Sequence, residues 1–275
     1  MIGWWWWEHL TTDEAAGLDP ATTVVILPVA AIEQHGPHLP LGTDRIICDA
    51  ILDAGLARLP PLVGPVLRLP TQGIGCSTEH ASYPGTLTLS AEAAVSLWTD
   101  IGRHVAAAGL RKLILFNAHG GQVALVDIVA QRLRREARLL VVRASYFHLP
   151  LPDGLLDEAE ARFGWHGGTL ETSLMLHIAP ELVRREHVRR FASAAASIAD
   201  RHRVLAVEGA AGMGWLAEDL NPAGVTGDAA AATAELGEVL LAHYAGQLAT
   251  LIGEVQRLAW PQPLPTMGEG PPTEG

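Results

Sequence analysis

The stretch TVVILPVAAIEQHGPHLPLGTD, residues 23–44, joins an apolar run to a loop that contains acids and histidines. Residues Thr23 to Leu27 are β-branched or aliphatic throughout, which is typical of a strand buried on both faces. A helix is predicted from Asp44 to Arg58, with Thr43 as its N-cap. A buried strand that leads through a loop into a helix is the first half of a βαβ unit, so this stretch predicts a parallel sheet.

The same alternation continues along the chain. Further strands are predicted at 62–69, 112–116, 139–144 and 204–207, and further helices from Ser90 to about Ala108 and at 123–137, 169–177 and 228–258. We therefore expect residues 1–260 to form a single three-layer α/β/α domain with a mostly parallel central sheet. Residues 261–275 hold five prolines and three glycines, which predicts a disordered tail.

Composition restricts the class of protein. The 275 residues carry a formal net charge of −11, which is the opposite of the balance expected for a nucleic-acid-binding protein. No apolar run approaches the ~20 residues that a membrane span needs, and the N-terminus shows no secretion signal. Two cysteines, Cys48 and Cys76, cannot form a disulfide framework. We expect a cytoplasmic protein that binds neither nucleic acid nor membrane.

The loop after the first predicted strand is a candidate metal site. Glu33, His35 and Asp44 lie within twelve residues there, at the carboxyl end of a strand, where α/β proteins place their sites. Carboxylate oxygens and imidazole nitrogens are ligands that zinc or manganese accepts, and Asp44 has two oxygens with which it could bridge two ions. A solvated turn with incidental acids is equally compatible with this spacing.

Two later loops contain similar groups next to Gly-Gly pairs. His119 precedes Gly120 and Gly121, which would let a ligand approach the backbone closely, although a purely structural turn fits this segment as well. His166 and Glu171 lie five residues apart across the second pair. A histidine there could carry protons, because its unperturbed pKa of ~6.5 lies near neutrality, and Glu171 could bind a metal or complement a helix dipole.

The loop from Thr71 to Gly85 is interpreted as a substrate-contact loop. Ser77 is its candidate substrate-binding residue, since its neighbours do not match the Gly-x-Ser-x-Gly pattern of a serine nucleophile. The adjacent Glu79 and His80 are expected to pair with each other and are not predicted to be metal ligands.

Taken together, these segments resemble the creatininase (creatinine amidohydrolase) family. The resemblance extends from about Leu10 to Leu258, and its motifs are residues 33–44, Glu79-His80 with Pro84-Gly85-Thr86, Asn117 to Gly121, and His166 to Ser173. It implies a three-layer α/β/α fold with a binuclear metal site at the strand ends. It also implies hydrolysis of unusual amide C–N bonds through a metal-activated bridging water, and assembly as a homo-oligomer, often a hexamer.

The resemblance implies two divalent ions per subunit, which could be zinc, manganese or iron. Carried over to this sequence, Glu33, Asp44 and His119 would bind one ion, and His35, Asp44 and Glu171 would bind the other. Two ions ~3.5–4 Å apart can lower the pKa of a shared water and polarise an amide carbonyl. The three carboxylates would nearly cancel the four positive charges of the ions.

Asp44 and His166 are the catalytic residues that this scheme predicts. His166 would protonate the leaving nitrogen, because an unprotonated amine anion is a poor leaving group. Trp165, Gly120 and Gly121 are predicted to contact substrate, although a place in the core fits Trp165 equally well.

Creatininase itself has a tyrosine and a glutamate at the positions of Gly120 and Gly121, so a different member of the family is expected. The predicted activity is metal-dependent hydrolysis of an amide, lactam or formamide bond in a small molecule. Two alternatives remain open: a family member that acts on the peptide C-terminus of a cofactor precursor, and a small-molecule-binding α/β protein without turnover.

Four consecutive tryptophans, Trp4 to Trp7, have three interpretations. They could extend the core, form a subunit contact or lie at a membrane interface, although no basic residues accompany them as a membrane interface would favour. A subunit contact is favoured because tryptophan is enriched at interface hot spots.

Overall fold

The computed structural model describes residues 3–59 and 64–260. Five strands form one parallel sheet; in chain order they are β1 to β5, comprising Gly3–Trp6, Val24–Val29, Pro65–Arg68, Lys112–Asn117 and Leu140–Ser145. Their spatial order is β1-β3-β2-β4-β5. A separate antiparallel ribbon is formed by β6 and β7, which are Arg190–Phe191 and Gly227–Asp228.

Nine α-helices occur in these described ranges. In chain order α1 to α9 comprise Thr12–Ala16, Thr43–Leu56, Ala91–Ala107, Val123–Ala137, Glu158–Phe163, Thr169–Ile178, Ala194–Arg201, Ala217–Leu220 and Ala234–Arg257. None of the helices in the described part of the chain has the length and apolar character that crossing a bilayer requires.

The sheet lies between two helical layers. Helices α2, α6 and α9 pack against one another on one face, and α3 packs against α4 on the other. Successive residues of β2 belong to the two cores in turn: Ile26 lies in the same core as Tyr244 on the first face, and Leu27 in the same core as Trp98 on the second. The predicted three-layer α/β/α architecture with a parallel sheet is confirmed.

The chain order of the strands places a crevice in the middle of the sheet. The connection through α2 leads from β2 to β3 on one side, and α3 then returns the chain to β4 on the other side of β2. The loops after β2 and β4 therefore diverge at a switch point, where α/β sheets offer their binding crevice. Glu33 and His119 lie in these two loops.

Three predicted elements need correction. Helix α2 begins at Thr43 and Gly42 occupies its N-cap position, so the prediction of Thr43 as the N-cap is wrong. The predicted strand at Val204–Val207 is wrong: these residues form an irregular segment, and Val204 is 70% exposed. Helix α9 begins at Ala234, because Asp228 caps a short 3-10 turn and Thr233 then accepts a backbone hydrogen bond as the N-cap of the helix. The predicted strand from Leu62 is described only from Pro65, and the predicted tail at 261–275 lies outside the described residues.

The tryptophan run forms the edge of the sheet. Trp4 packs against the core on one face, whereas Trp5 and Trp7 pack against the core on the other. The guanidinium of Arg68 lies 4.4 Å from the ring centroid of Trp6, within the range of a cation–π interaction. These contacts agree with an extension of the core, and the subunit contact stays a prediction.

Candidate metal centre

The five predicted metal ligands lie together at the carboxyl ends of β2 and β4. His35 Nε2 is 3.0 Å from Asp44 Oδ1 and 3.9 Å from Glu171 Oε2. His119 Nδ1 is 3.2 Å from both Asp44 Oδ2 and Glu33 Oε2. The loop after β2, the first turns of α2 and α6, and the loop after β4 each contribute to this cluster.

The two oxygens of Asp44 divide the cluster into two groups. Oδ1 faces His35, and Glu171 completes that side. Oδ2 faces His119, and Glu33 completes the other side. A carboxylate placed in this way is suited to bridging two cations, each with one histidine and one further carboxylate.

Hydrogen bonds on the far edges of the rings determine which nitrogen faces the cluster. His35 Nδ1 lies 3.2 Å from the carbonyl oxygen of Glu33, and His119 Nε2 lies 3.1 Å from that of Cys76. A carbonyl oxygen only accepts, so in the neutral form that binds metal each ring donates its one N–H outward. His35 Nε2 and His119 Nδ1 then present their lone pairs to the carboxylates, as metal-ligating histidines do.

The acidic and imidazole groups of the cluster are buried, which makes the cluster suited to a cation. Glu33, His35, Asp44 and His119 are all less than 5% exposed. When both rings are neutral, as metal binding requires, Glu33 Oε1, His35 Nε2 and Asp44 Oδ2 are buried atoms to which no group in the described residues donates a hydrogen bond. Each such atom costs about 1–3 kcal/mol, and all three belong to types that zinc or manganese accepts as ligands.

The charges in the cluster shift one another's titration. Burial opposes protonation of His35, but the carboxylates of Asp44, Glu171 and Glu33 outweigh it and raise the pKa of His35 to about 9. Burial opposes ionisation of Asp44, yet His35 and His119 hold the pKa of Asp44 below its ordinary value. Burial raises the pKa of Glu171 to about 7 despite the opposing effect of His35.

His166 lies beside the cluster with a fixed ring orientation. Its Nε2 donates to the carbonyl oxygen of Gln34 at 2.8 Å, so Nδ1 carries the lone pair and faces Glu33 Oε1 at 3.6 Å. Burial, followed by the nearby His35 and His80, holds the pKa of His166 well below its usual value. The ring is therefore neutral at pH 7 and accepts a proton at Nδ1.

Glu79 and His80 lie beside His119 and His166, a placement that was not predicted from the sequence. Their side chains are 4.0 Å apart, whereas Glu79 Oε1 lies 3.1 Å from His119 Nε2. The His80 ring stacks on His166 with centroids 4.2 Å apart, and its Nδ1 accepts from the Gln34 amide at 2.7 Å. The sequence does place the pair in a loop at the carboxyl end of a strand, which was the available signal.

The predicted substrate-contact residues occupy different environments. Ser77 is fully buried and donates its hydroxyl hydrogen bond to Glu33 Oε2. Gly120 and Gly121 are exposed in the turn that precedes α4. Trp165 is half-buried and packs near Trp215, with ring centroids 6.3 Å apart. A contact of these residues with substrate stays a prediction.

Comparison with known proteins identifies the family of this chain. The creatininase family, described as creatinine amidohydrolase, matches residues 8–252. A mycofactocin precursor peptide peptidase of Mycobacterium tuberculosis (strain CDC 1551 / Oshkosh) is 35% identical over 170 residues, or 60% of this chain and 62% of that protein. The peptidase of the same name from Mycobacterium ulcerans (strain Agy99) is 32% identical over 239 residues, or 86% of each protein. The chain thus aligns with less than two thirds of the first relative and with most of the second.

A solved structure, "Creatininase Mn", shares the fold. It superposes with a TM-score of 0.71 at 25% identity, and the match covers 92% of this chain and 99% of that one. The family match spans nearly all of the described residues, including both loops that build the cluster. With its parallel sheet and its buried acids and histidines at the strand ends, this chain belongs to the creatininase family of hydrolases.

Proposed function

We propose that this chain is a metal-dependent hydrolase that cleaves an amide-type C–N bond at a two-metal centre. The observation that carries the proposal is Asp44, a buried carboxylate whose two oxygens face His35 and His119 at 3.0 and 3.2 Å. Glu33 and Glu171 complete the two sides of the cluster. A neutralising pair of cations explains why so many acidic groups are buried together.

Glu33, Asp44 and His119 would hold one ion, and His35, Asp44 and Glu171 the other. Two divalent ions bound by these residues would supply the chemistry that amide hydrolysis requires, a lowered pKa of water and polarisation of the amide carbonyl. The name of the solved relative supports manganese as a candidate ion, and the nitrogen and oxygen donors are equally suited to zinc.

His166 would move the proton that the reaction transfers. Its Nδ1 faces the cluster with a free lone pair, because Nε2–H is donated to the backbone of Gln34. The depressed pKa keeps the ring neutral, so Nδ1 first accepts the proton of the attacking water and then passes it to the leaving nitrogen. Ser77 holds Glu33 in place by its hydrogen bond to Oε2.

The substrate is proposed to be a small molecule with an amide, lactam or formamide bond. The C-terminus of a precursor peptide is the second candidate, and the similarity to mycofactocin precursor peptide peptidases favours it. Exposed Gly120 is compatible with either class, because space beside its backbone is open: a Cβ there would meet no atom within 4 Å.

The test measures metal content and hydrolysis together. Metal-free protein would be loaded with manganese or zinc and assayed with creatinine, small lactams, formamides and short peptides. We expect about two ions per subunit and turnover of one substrate class, both lost in Asp44→Asn. The exposed Asp200→Asn on α7 is the matched control and should keep both. Full turnover by Asp44→Asn or by the chelated protein would refute the proposal.

A further inference from the structure

Glu79 faces the side of His119 that points away from the metal centre. Its Oε1 lies 3.1 Å from His119 Nε2, while Nδ1 of the same ring faces Glu33 and Asp44. Glu79 is largely buried, and the short 3-10 turn Thr78–His80 presents it to the ring. One imidazole therefore lies between the proposed ligand carboxylates and a carboxylate behind them.

The absence of a side chain at Gly121 leaves the space that the Glu79 carboxylate occupies. A Cβ at Gly121 would lie 2.5 Å from Glu79 Cδ and closer still to Oε1. A Cβ at the neighbouring Gly120 would meet nothing within 4 Å. Gly121 does not have a positive φ, so its backbone conformation would tolerate a side chain. A side chain at this position is excluded because it would overlap Glu79.

We propose that Glu79 is a positioning residue for His119, an inference that rests on the proposed metal centre. Its carboxylate accepts the Nε2–H of the imidazole, which fixes the tautomer with the Nδ1 lone pair toward Glu33 and Asp44. A carboxylate behind a ligating histidine also makes the ligand more basic, and loss of such a partner costs 10- to 100-fold in metal affinity, as an order of magnitude.

The hydrogen bond from His119 is shared with a neutral acceptor. The carbonyl oxygen of Cys76 lies 3.1 Å from the same Nε2, so the tautomer survives when Glu79 is removed. Glu79 then acts on metal binding mainly through its negative charge and by fixing the orientation of the His119 ring. Glu79→Gln keeps an acceptor oxygen and should lose less metal affinity than Glu79→Ala.

The relation between Glu79 and Gly121 provides a test that a general loss of stability would not mimic. Cobalt(II) would be titrated into metal-free wild type, Glu79→Gln, Glu79→Ala, Gly121→Ala and the double variant Glu79→Ala/Gly121→Ala, with visible absorption as the readout. We expect Glu79→Ala and Gly121→Ala each to weaken cobalt binding about 10- to 100-fold and to change the absorption spectrum. The double variant should bind no more weakly than either single variant, because the added methyl then occupies vacated space.

Gly120→Ala is the matched control for a methyl group in the same turn, and its cobalt affinity should equal that of the wild type. Circular dichroism of each metal-free variant checks that it is folded. Wild-type affinity in Glu79→Ala, or additive losses in the double variant, would overturn the inference while the metal centre stands. Loss of one whole ion from Glu79→Ala, with the other bound normally, would also overturn it, since Glu79 would then be a ligand. A wild-type protein that binds no cobalt would overturn the proposed metal centre itself.

Discussion

Replacing Glu160 should destabilise the loop that carries His166. Glu160 lies on α5 and is only 7% exposed. Its Oε1 accepts from the backbone N–H of Thr169 at 2.6 Å, and its Oε2 accepts from that of Asp228 at 2.7 Å. The side chain therefore ties the start of α6 to the β6–β7 ribbon, and the loop with His166 runs between α5 and α6.

The surrounding backbone is built to fit this carboxylate. A Cβ at Gly164, Gly168 or Gly227 would overlap the carboxylate of Glu160. Each hydrogen bond to a charged acceptor contributes about 1.5–3 kcal/mol, so the two together give about 3–6 kcal/mol. Glu160→Ala should lower the free energy of unfolding by this amount, and Glu160→Gln by about half, because its amide group cannot accept both bonds.

Urea denaturation of the metal-free protein measures the effect. Glu158→Gln is the matched control, since Glu158 is exposed on the same helix, and it should change the free energy of unfolding by no more than about 0.5 kcal/mol. Turnover should fall together with stability, because Thr226, next to the ribbon, donates its N–H to the carbonyl oxygen of His166 at 2.8 Å. A loss of less than about 1 kcal/mol in Glu160→Ala would refute the reasoning, because two buried N–H groups would then tolerate the loss of their acceptor.

The buried histidines His38 and His35 should respond to pH in opposite ways. Burial lowers the pKa of His38 to about 4, so the folded state favours the neutral ring. The free energy of unfolding therefore has its full contribution from His38 above pH 6.5, and this contribution is lost as the pH falls from 6.5 to 4. Wild type should lose on the order of 2–3 kcal/mol more than His38→Gln between pH 7.5 and 4.5 in urea denaturation, and equal losses would contradict this assignment. The pKa of His35 is about 9, and neighbouring carboxylates also raise the pKa of His119 although burial opposes this. Both histidines are therefore protonated at pH 7 without metal. Metal binding at pH 7 should therefore release between two and three protons per subunit, one from each histidine and about half of one from Glu171, whose pKa is about 7. Binding should strengthen as the pH rises toward 9, and a calorimetric enthalpy independent of the buffer would argue against this assignment.

The sequence was sufficient to predict the sheet and the proximity of the candidate ligands, because both depend on local patterns. The runs at Thr23 to Leu27 and Lys112 to Phe116 are apolar throughout their central positions, and apolar runs of this length are typical of a sheet covered on both faces. The loops after them must then meet at one edge, which brings Glu33 and His119 together. Spacing alone left a solvated turn open, and the family resemblance supplied the division into two groups of ligands.

The remaining features depend on contacts between distant parts of the chain. Val204–Val207 has the local pattern of a short strand, but no strand of the described residues pairs with it. Val204 is exposed, whereas Val207 is buried in a small apolar cluster with Ala195 and Leu220. His80 contacts Gln34, which is 46 residues earlier, and a Glu-His dipeptide has the same local pattern whether its members pair with each other or with the site. Gly121 likewise resembles a flexible turn residue in sequence, whereas the structure shows that it provides space for Glu79.

The charge balance of the centre connects Glu79 with the ligands. Glu33, Asp44, Glu79 and Glu171 are four acidic side chains grouped around His35 and His119. In the metal-free protein, protons on the two histidines, and on Glu171 with its pKa of about 7, offset part of this negative charge. Two divalent ions would displace those protons and bring four positive charges, which would balance the four negative charges of the ionised carboxylates. A buried centre of zero net charge avoids most of the desolvation cost of a charged one. The three proposed ligand carboxylates would leave one positive charge of the two ions unbalanced, and the carboxylate of Glu79 behind His119 would balance it.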